Sequence, residues 1–175
     1  MVGIFNGQDM NIKIFIFLII PIASAVSLPR FSLFEKNGCT YIKDYKFLNS
    51  EEKSTFEKHF NFTLTTSTVR KLKVTCKSKD KESISTAFLL NDKIRTHYQT
   101  LLLWVTDHKI KGVEVLEFLE PIQYKAPTKW YSQIEGKDLS HLYEVDGLSG
   151  ATLTRQSTLK LVKQALYFTP KKTYD

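Results

Sequence analysis

The pattern of apolar and polar residues predicts a series of strands in the middle of the chain. Apolar positions mark strands at 72–76, 83–90, 97–105 and 111–118, and turn-forming residues separate them at 79–81, 91–92 and 107–109. Short turns between consecutive strands favour an antiparallel meander. The run 101–105 is continuously apolar, which predicts a strand that is covered on both of its faces.

Helical spacing of apolar residues replaces this alternation in two places. From Leu153 to about Tyr167 the apolar positions recur every three or four residues, so we expect an amphipathic helix whose apolar side packs on the sheet. A shorter helix is predicted within 45–60, capped at Asn49 or Ser50. The expected fold class is therefore α+β, a single domain with a mainly antiparallel sheet covered by the C-terminal helix.

The N-terminal residues have the pattern of a secretory signal peptide. Lys13 precedes the apolar run 14–20, which is followed by Pro21 and by small residues up to Ala25. The run is shorter than the roughly 20 residues of a membrane-spanning helix. We therefore expect a signal at 1–25, cleavage after Ala25 and an exported protein, with an uncleaved anchor as the alternative. Either Met1 or Met10 is consistent with the start of such a signal.

The two cysteines and four histidines limit which prosthetic groups the chain is expected to bind. In an oxidising compartment Cys39 and Cys76 form either a disulfide or a pair of buried thiols, and the sequence leaves both open. Paired Cys-x-x-Cys motifs are absent, and the histidines lack the spacing of metal ligands, so neither covalent haem nor a metal site is predicted. The histidines are His59, His97, His108 and His141.

The chain is basic, with a formal net charge of +7, and the basic residues are densest at 70–81. There they alternate with apolar residues, which predicts a strand with one solvated, basic face. Such a face either attracts an acidic partner or only keeps the domain soluble. Nucleic acid is not an expected partner, because export separates the protein from the nucleic acids of the cell and the motifs of nucleic-acid-binding domains are missing.

The segment 146–154 combines a turn of small residues with the start of the C-terminal helix. Gly150 permits close approach of the backbone or a positive φ, and Thr152 or Thr154 is expected to be the N-cap of the helix. Free N–H groups and the helix dipole at such an end attract a phosphate. A glycine turn before a capped helix also occurs in proteins that bind nothing, so this segment alone decides little.

The motif Ser149-Gly150-Ala151-Thr152, preceded by Asp146, resembles the attachment motif of the covalent FMN-binding domain family. That family includes domains in the C subunit of sodium-translocating NADH:quinone oxidoreductase and in the G subunit of the Rnf electron-transport complex. The resemblance covers roughly 83–166, whereas 26–80 resembles no family. We therefore expect an FMN-binding domain at 81–168, an unassigned N-terminal part at 26–80 and a short tail at 169–175.

The resemblance implies a role for each residue of the motif. Thr152 is expected to carry FMN through a phosphoester bond that a separate flavin transferase makes. Asp146, Ser149, Gly150 and Ala151 are expected to form the motif that the transferase recognises, and Thr154 completes the predicted cofactor site. A threonine hydroxyl is a weak nucleophile, and no Ser-His-Asp triad is evident that would activate it within the chain.

Three further residues are candidates for flavin contacts, each with a structural alternative. Glu120, before Pro121, stands where the family has a Glu-Thr-Pro-Gly loop, although the following Thr and glycines are absent here. It is expected either to orient the flavin or to be an ordinary loop carboxylate. Arg95 either brings a cation near the phosphate or the ring, or lies in a surface turn. Trp130 either stacks on the ring or fills the core.

The expected function is that of an exported electron carrier at the outer face of the cytoplasmic membrane or in the periplasm. By resemblance, its partners are a flavin transferase, a membrane quinol- or NADH-linked reductase, and a cytochrome or terminal reductase. One alternative is an exported accessory or binding protein of the same fold without covalent flavin. A stand-alone reductase ranks third, because no Gly-x-Gly-x-x-Gly motif follows a strand.

Overall fold

The computed structural model describes residues 30–64, 66–78 and 81–170. The predicted signal peptide, residues 79 and 80 of the predicted turn at 79–81 and most of the predicted tail lie outside these ranges. The described elements, in chain order, are α1 (Ser32–Lys36), β1 (Cys39–Phe47), α2 (Ser50–Phe60), β2 (Thr68–Ser78), β3 (Lys81–Lys93), β4 (Tyr98–Thr106), β5 (Lys109–Phe118), α3 (Thr128–Tyr131) and α4 (Thr152–Phe168). Short 3₁₀ helices at Ile122–Tyr124, Ser132–Ile134 and Leu139–Glu144 lie between β5 and α4.

The strands form one antiparallel sheet in the order β1-β2-β3-β4-β5. Each strand pairs with the next strand in the chain, so the predicted meander is confirmed. Helix α4 packs against β3, β4 and β5. The fold is therefore α+β, as the sequence predicted, with the C-terminal helix covering one face of the sheet.

Strand β4 is covered on both faces, as its continuous apolar run predicted. Leu101, Leu103 and Val105 belong to the larger apolar core, which α4 completes. Leu102 and Trp104 belong to a smaller core on the opposite face, to which α1 and the residue before it contribute Phe31 and Phe34. Because successive side chains of a strand point to opposite faces, an uninterrupted apolar run gives each face a hydrophobic layer.

The predicted turn at Asn91-Asp92 is wrong, because both residues lie inside β3. They pair with Thr100 and Gln99 of β4, and the chain reverses only at 94–97. The side chain of Asp92 also accepts a hydrogen bond from Lys160 of α4 at 2.7 Å. These tertiary contacts outweigh the turn preference of an Asn-Asp pair.

The predicted short helix is α2, and its N-cap is Asn49. The Asn49 side chain accepts the N–H of Glu52 at 2.8 Å, and the Glu52 carboxylate accepts the N–H of Asn49 at 3.2 Å. This reciprocal capping box fixes the start of the helix. Further along α2, Phe56 is buried against Phe168 at the C-terminal end of α4. The earlier part of the predicted segment, from Tyr45 onward, ends strand β1 instead.

Two features of the outer strands bear on the charge and cysteine predictions. A disulfide joins Cys39 and Cys76, which face each other across β1 and β2. Strand β2 alternates as predicted, with Leu72 and Val74 buried and Lys73 exposed between them.

In the part of the chain that the structure describes, no helix has both the length and the apolar character needed to cross a membrane.

Candidate functional site

The chain enters α4 through a tight turn at the Ser-Gly-Ala-Thr motif. Gly150 has a φ of +74°, and the Ala151 N–H donates to the Leu148 carbonyl at 3.1 Å. The N-cap is Ala151, so the prediction that Thr152 or Thr154 caps the helix is wrong. Thr152 is instead the first residue of α4, and it is exposed.

The start of α4 leaves backbone donors available to a ligand. The first backbone bond of the helix runs from the Arg155 N–H to the Ala151 carbonyl at 3.1 Å. The N–H groups of Thr152, Leu153 and Thr154 precede that bond, so the helix itself offers them no acceptor. With the dipole of a 17-residue helix behind them, these groups favour an anion next to the Thr152 hydroxyl.

Thr154 is used for tertiary structure rather than for capping. Its side chain is buried, and its hydroxyl donates to the carbonyl of Tyr124 at 2.6 Å. This bond ties the first turn of α4 to the segment that follows β5. It explains why Thr154 is not the cap, because its hydroxyl is turned toward a carbonyl 30 residues away in sequence.

A cleft of about 220 Å³ lies beside the motif. Its lining residues are Ile94, Arg95, Tyr124, Gly150, Ala151, Thr152, Leu153 and Thr154. The Arg95 guanidinium carbon lies 5.0 Å from the centre of the Tyr124 ring, which is within the range of a cation–π contact. The fold thus brings Arg95, at the turn between β3 and β4, to the same cleft as Thr152. We name this feature the motif cleft.

Glu120 organises the turn that carries Arg95. Its carboxylate is buried, and one oxygen, Oε1, accepts the backbone N–H groups of Arg95 at 3.0 Å, Thr96 at 2.7 Å and His97 at 2.9 Å. These N–H donors hold the pKa of Glu120 below its usual range, and the hydrogen bond from the His97 N–H has the largest effect. The carboxylate therefore stays ionised while it binds the turn.

Trp130 lies in the core and supports the segment before the motif. Its side chain is buried, and its Nε1 donates to the carbonyl of Asp146 at 3.2 Å. Arg155 donates from Nε to the same carbonyl at 3.0 Å and from Nη2 to the carbonyl of Val145 at 2.8 Å. The backbone of Asp146 is thus held from two sides, and the residue as a whole is exposed.

Neither Tyr124 nor Arg155 was predicted from the sequence to be a site residue. Tyr124 supplies the aromatic ring and the carbonyl that join three segments at the motif cleft. Arg155 is the first residue after the motif with a charged side chain, and it bonds back to the chain before the motif. Its position next to the motif is the one signal in the sequence that points to it, whereas Tyr124 is distant and gives none.

A Ser-His-Asp group does occur close together, although it serves as a helix cap. Asp138 Oδ1 accepts the N–H of Ser140 at 3.0 Å, the hydroxyl of Ser140 at 2.6 Å and Nδ1 of His141 at 2.7 Å. These hydrogen bonds lower the pKa of Asp138, and the bond from the Ser140 hydroxyl has the largest effect. Because the Ser140 hydroxyl donates to the carboxylate, it is not set up as a nucleophile activated by histidine.

A family model matches the part of the chain that contains the motif and most of the residues that line the motif cleft. Residues 99–167 match the family model described as FMN-binding domain. This segment, which is less than half of the chain, is therefore similar to an FMN-binding domain. The match starts in β4 and ends in α4, so it includes Glu120, Trp130 and the whole motif, while Arg95 and the disulfide precede it. No curated protein and no solved structure matches the chain in the corresponding searches.

The chemistry of the motif cleft fits FMN. A phosphate requires N–H donors and a cation, which the start of α4 and Arg95 supply. A flavin ring requires aromatic and apolar surface, and Tyr124, Ile94 and the exposed Leu153 provide it. The family match and the chemistry of the residues around the cleft therefore indicate the same cofactor, FMN.

Proposed function

We propose that this protein is an exported flavoprotein that carries FMN covalently on Thr152 and transfers electrons within a membrane-linked redox chain. The observation that supports this most directly is the position of Thr152. Thr152 is an exposed residue, it is the first residue of α4, and it lines the motif cleft together with Arg95. Attachment through a phosphate uses the donors and the cation that this end of the helix offers.

The attachment is a transfer reaction that a separate enzyme carries out. The hydroxyl oxygen of Thr152 bonds to the phosphorus of the FMN half of FAD. The pyrophosphate bond of FAD breaks, AMP leaves and the hydroxyl proton passes to a base of the transferase. We assign the motif residues Asp146, Ser149, Gly150 and Ala151 to recognition by that enzyme. Asp146, Ser149 and Gly150 are exposed, as such recognition requires, whereas Ala151 is buried and would act through the shape of the turn.

The residues of this chain hold the cofactor and set its surroundings. The N–H groups at the start of α4 and the Arg95 guanidinium would bind the phosphate. Tyr124 and the apolar side chains of Ile94 and Leu153 would lie against the ring. When bound, FMN supplies the capacity to take up and release one or two electrons, and the protein controls its potential and exposure.

Export and the redox partners follow from the sequence pattern and the family resemblance. The signal-like segment at 1–25 supports a location in the periplasm or at the outer face of the cytoplasmic membrane. We propose a membrane quinol- or NADH-linked reductase as electron donor and a cytochrome or terminal reductase as acceptor. The basic face of β2, with Lys73 exposed, is suited to an acidic partner surface.

Coexpression with a flavin transferase tests the attachment. The full chain, the Thr152→Ala variant and a Thr128→Ala control are produced beside a known substrate of the transferase. Thr128 is a matched control because it is also exposed and also begins a helix, α3. We expect visible absorption and an added mass of one FMN minus water in the wild type and the control, and neither in Thr152→Ala.

Two results would contradict the proposal. If the protein stays colourless at its unmodified mass while the known substrate is loaded, the accessory protein without covalent flavin becomes the better account. If Thr152→Ala still gains the mass of FMN, another residue is the acceptor.

A further inference from the structure

We propose that Glu120 is a positioning residue whose carboxylate fixes the turn at 95–97 and thereby holds the Arg95 guanidinium at the motif cleft for the flavin phosphate. This inference rests on the proposed function, because it assigns a role at the same site. It concerns how the cation is held in place, which neither the family match nor the motif specifies.

The Glu120 carboxylate binds the backbone of the turn directly. One oxygen of Glu120 accepts the N–H groups of three consecutive residues, Arg95, Thr96 and His97, at distances of 2.7 to 3.0 Å. Hydrogen bonds to an ionised acceptor are stronger than neutral ones, and this acceptor is buried. Three bonds from consecutive residues to one oxygen leave the turn little freedom to change its shape.

This turn places Arg95 at the motif cleft. The guanidinium lies over the ring of Tyr124, 5.0 Å from its centre, and both residues line the motif cleft. The carbonyl of Tyr124 in turn accepts the hydroxyl of Thr154 at 2.6 Å. Glu120, Tyr124 and Thr154 thus connect the β3–β4 turn, the segment after β5 and the first turn of α4 around one cleft.

The charges of Glu120 and Arg95 have opposite effects on a phosphate. A carboxylate in direct contact with a phosphate would repel it, whereas an arginine attracts it and binds it through several N–H groups. The Glu120 carboxylate is turned toward the backbone of the turn and is almost fully buried, with 6 % of the residue exposed. Its effect on an anion in the cleft is therefore indirect and passes through Arg95.

The test compares FMN with riboflavin, which lacks the phosphate, on the full chain purified without covalent flavin. Binding of each is measured by fluorescence quenching for the wild type and for Arg95→Gln, Glu120→Gln and the double variant. Glu117→Gln is the control, since Glu117 is an exposed carboxylate three residues earlier. The preference for FMN is the ratio of the riboflavin Kd to the FMN Kd. Because Arg95→Gln removes a charge-assisted contact to the phosphate, it should lower this preference about tenfold.

The effects of Arg95→Gln and Glu120→Gln on the preference for FMN are expected not to add, because Glu120 acts through Arg95. Glu120→Gln should lower the preference for FMN by a smaller factor, and the double variant should be no worse than Arg95→Gln alone. The affinity of every variant for riboflavin should equal that of the wild type. The control Glu117→Gln should also keep the wild-type preference for FMN. In the chain without flavin, amide hydrogen exchange at 95–97 should accelerate in Glu120→Gln and in the double variant but not in Arg95→Gln, with an unchanged circular dichroism spectrum.

Each contrary result has a distinct meaning. An unchanged preference for FMN in Glu120→Gln, or effects of the two variants that add, would overturn the positioning role. Equal affinity of the wild type for FMN and riboflavin would overturn it as well. The proposed function is judged separately, by whether Thr152 of the wild type is loaded in the coexpression experiment.

Discussion

Gly150 sets the direction in which the chain enters α4. Its φ of +74° lies in the region that residues with a Cβ rarely adopt, while a Cβ built there meets no atom within 4 Å. Gly150→Ala should therefore lower the free energy of unfolding by about 1 kcal/mol through backbone strain alone. Gly147 is a matched control, because it has equal space and no positive φ. Urea unfolding of both variants measures the difference, and equal losses would contradict this account.

Glu120 should make stability depend on pH. Its folded pKa is lowered, first by the N–H donor of His97, so its contribution is fully present above the unfolded pKa near 4.5. The contribution is lost as the pH falls below that value and through the lowered folded pKa. The second carboxylate oxygen, Oε2, lies 3.9 Å from Nδ1 of His97, and this ring also contributes to the lowered pKa of Glu120.

Urea unfolding between pH 7 and pH 3 checks this dependence. The difference in unfolding free energy between the wild type and Glu120→Gln should be largest at neutral pH and should shrink below about pH 4.5. The control Glu117→Gln should differ little from the wild type at every pH, because Glu117 is exposed. A difference for Glu120→Gln that grows toward low pH would have the wrong sign for a carboxylate with a lowered pKa.

At the residue scale, the sequence predicted what depends on local chain geometry. The turn at Gly150 and the accessible Thr152 follow from small residues placed just before an amphipathic helix. The role of Glu120 and the burial of Thr154 were not predictable, because their partners lie 23 to 30 residues away. The wrong prediction of the N-cap has the same cause, since the Thr154 hydroxyl bonds to a distant carbonyl.

Helix α2 is an element whose start depends on one local motif. The capping box between Asn49 and Glu52 satisfies two backbone N–H groups at its N-terminus. Asn49→Ala should lower the free energy of unfolding by about 1 kcal/mol. Thr55→Ala, at an exposed position within the same helix, should be neutral or slightly stabilising. Thermal unfolding of the two variants distinguishes them, and a neutral Asn49→Ala would show that α2 does not depend on its cap.

The elements that the sequence missed are those with weak hydrophobic patterns. In β1 most residues are exposed, because β1 is an edge strand with a single neighbour, β2. A strand that contributes few residues to the core leaves little alternation to detect. Strand β3 was predicted too short for a different reason, since its last residues pair with β4 despite their turn-forming side chains.

At the scale of the whole molecule, the disulfide closes the N-terminal part of the sheet. Cys39 and Cys76 are 37 residues apart in sequence, and closing a loop of this length stabilises by about 3 to 4 kcal/mol on the chain-entropy account. The double variant Cys39→Ala/Cys76→Ala should lose stability of that order. Urea unfolding of the oxidised wild type, the reduced wild type and the variant measures the loss. Equal midpoints for all three would contradict this prediction.

The overall architecture was more predictable than its N-terminal part. The meander, the two-sided burial of β4 and the covering helix α4 all follow from apolar patterns within single elements. The element that covers the second face of β4 was not predicted, because α1 is a five-residue helix with too few residues to show a period. Helix α1 is held in place by the Glu114 carboxylate of β5, which accepts two of its N–H groups.

Peptide mapping of the loaded protein tests the central claim most directly. Trypsin cleaves after Lys137 and Arg155, so a single peptide, 138–155, contains Ser149, Thr152 and Thr154. We predict that this peptide is heavier by one FMN minus water and that its fragment ions place the added mass on Thr152. An unmodified peptide from protein that was coexpressed with an active transferase, or added mass on Ser149 or Thr154, would contradict the account.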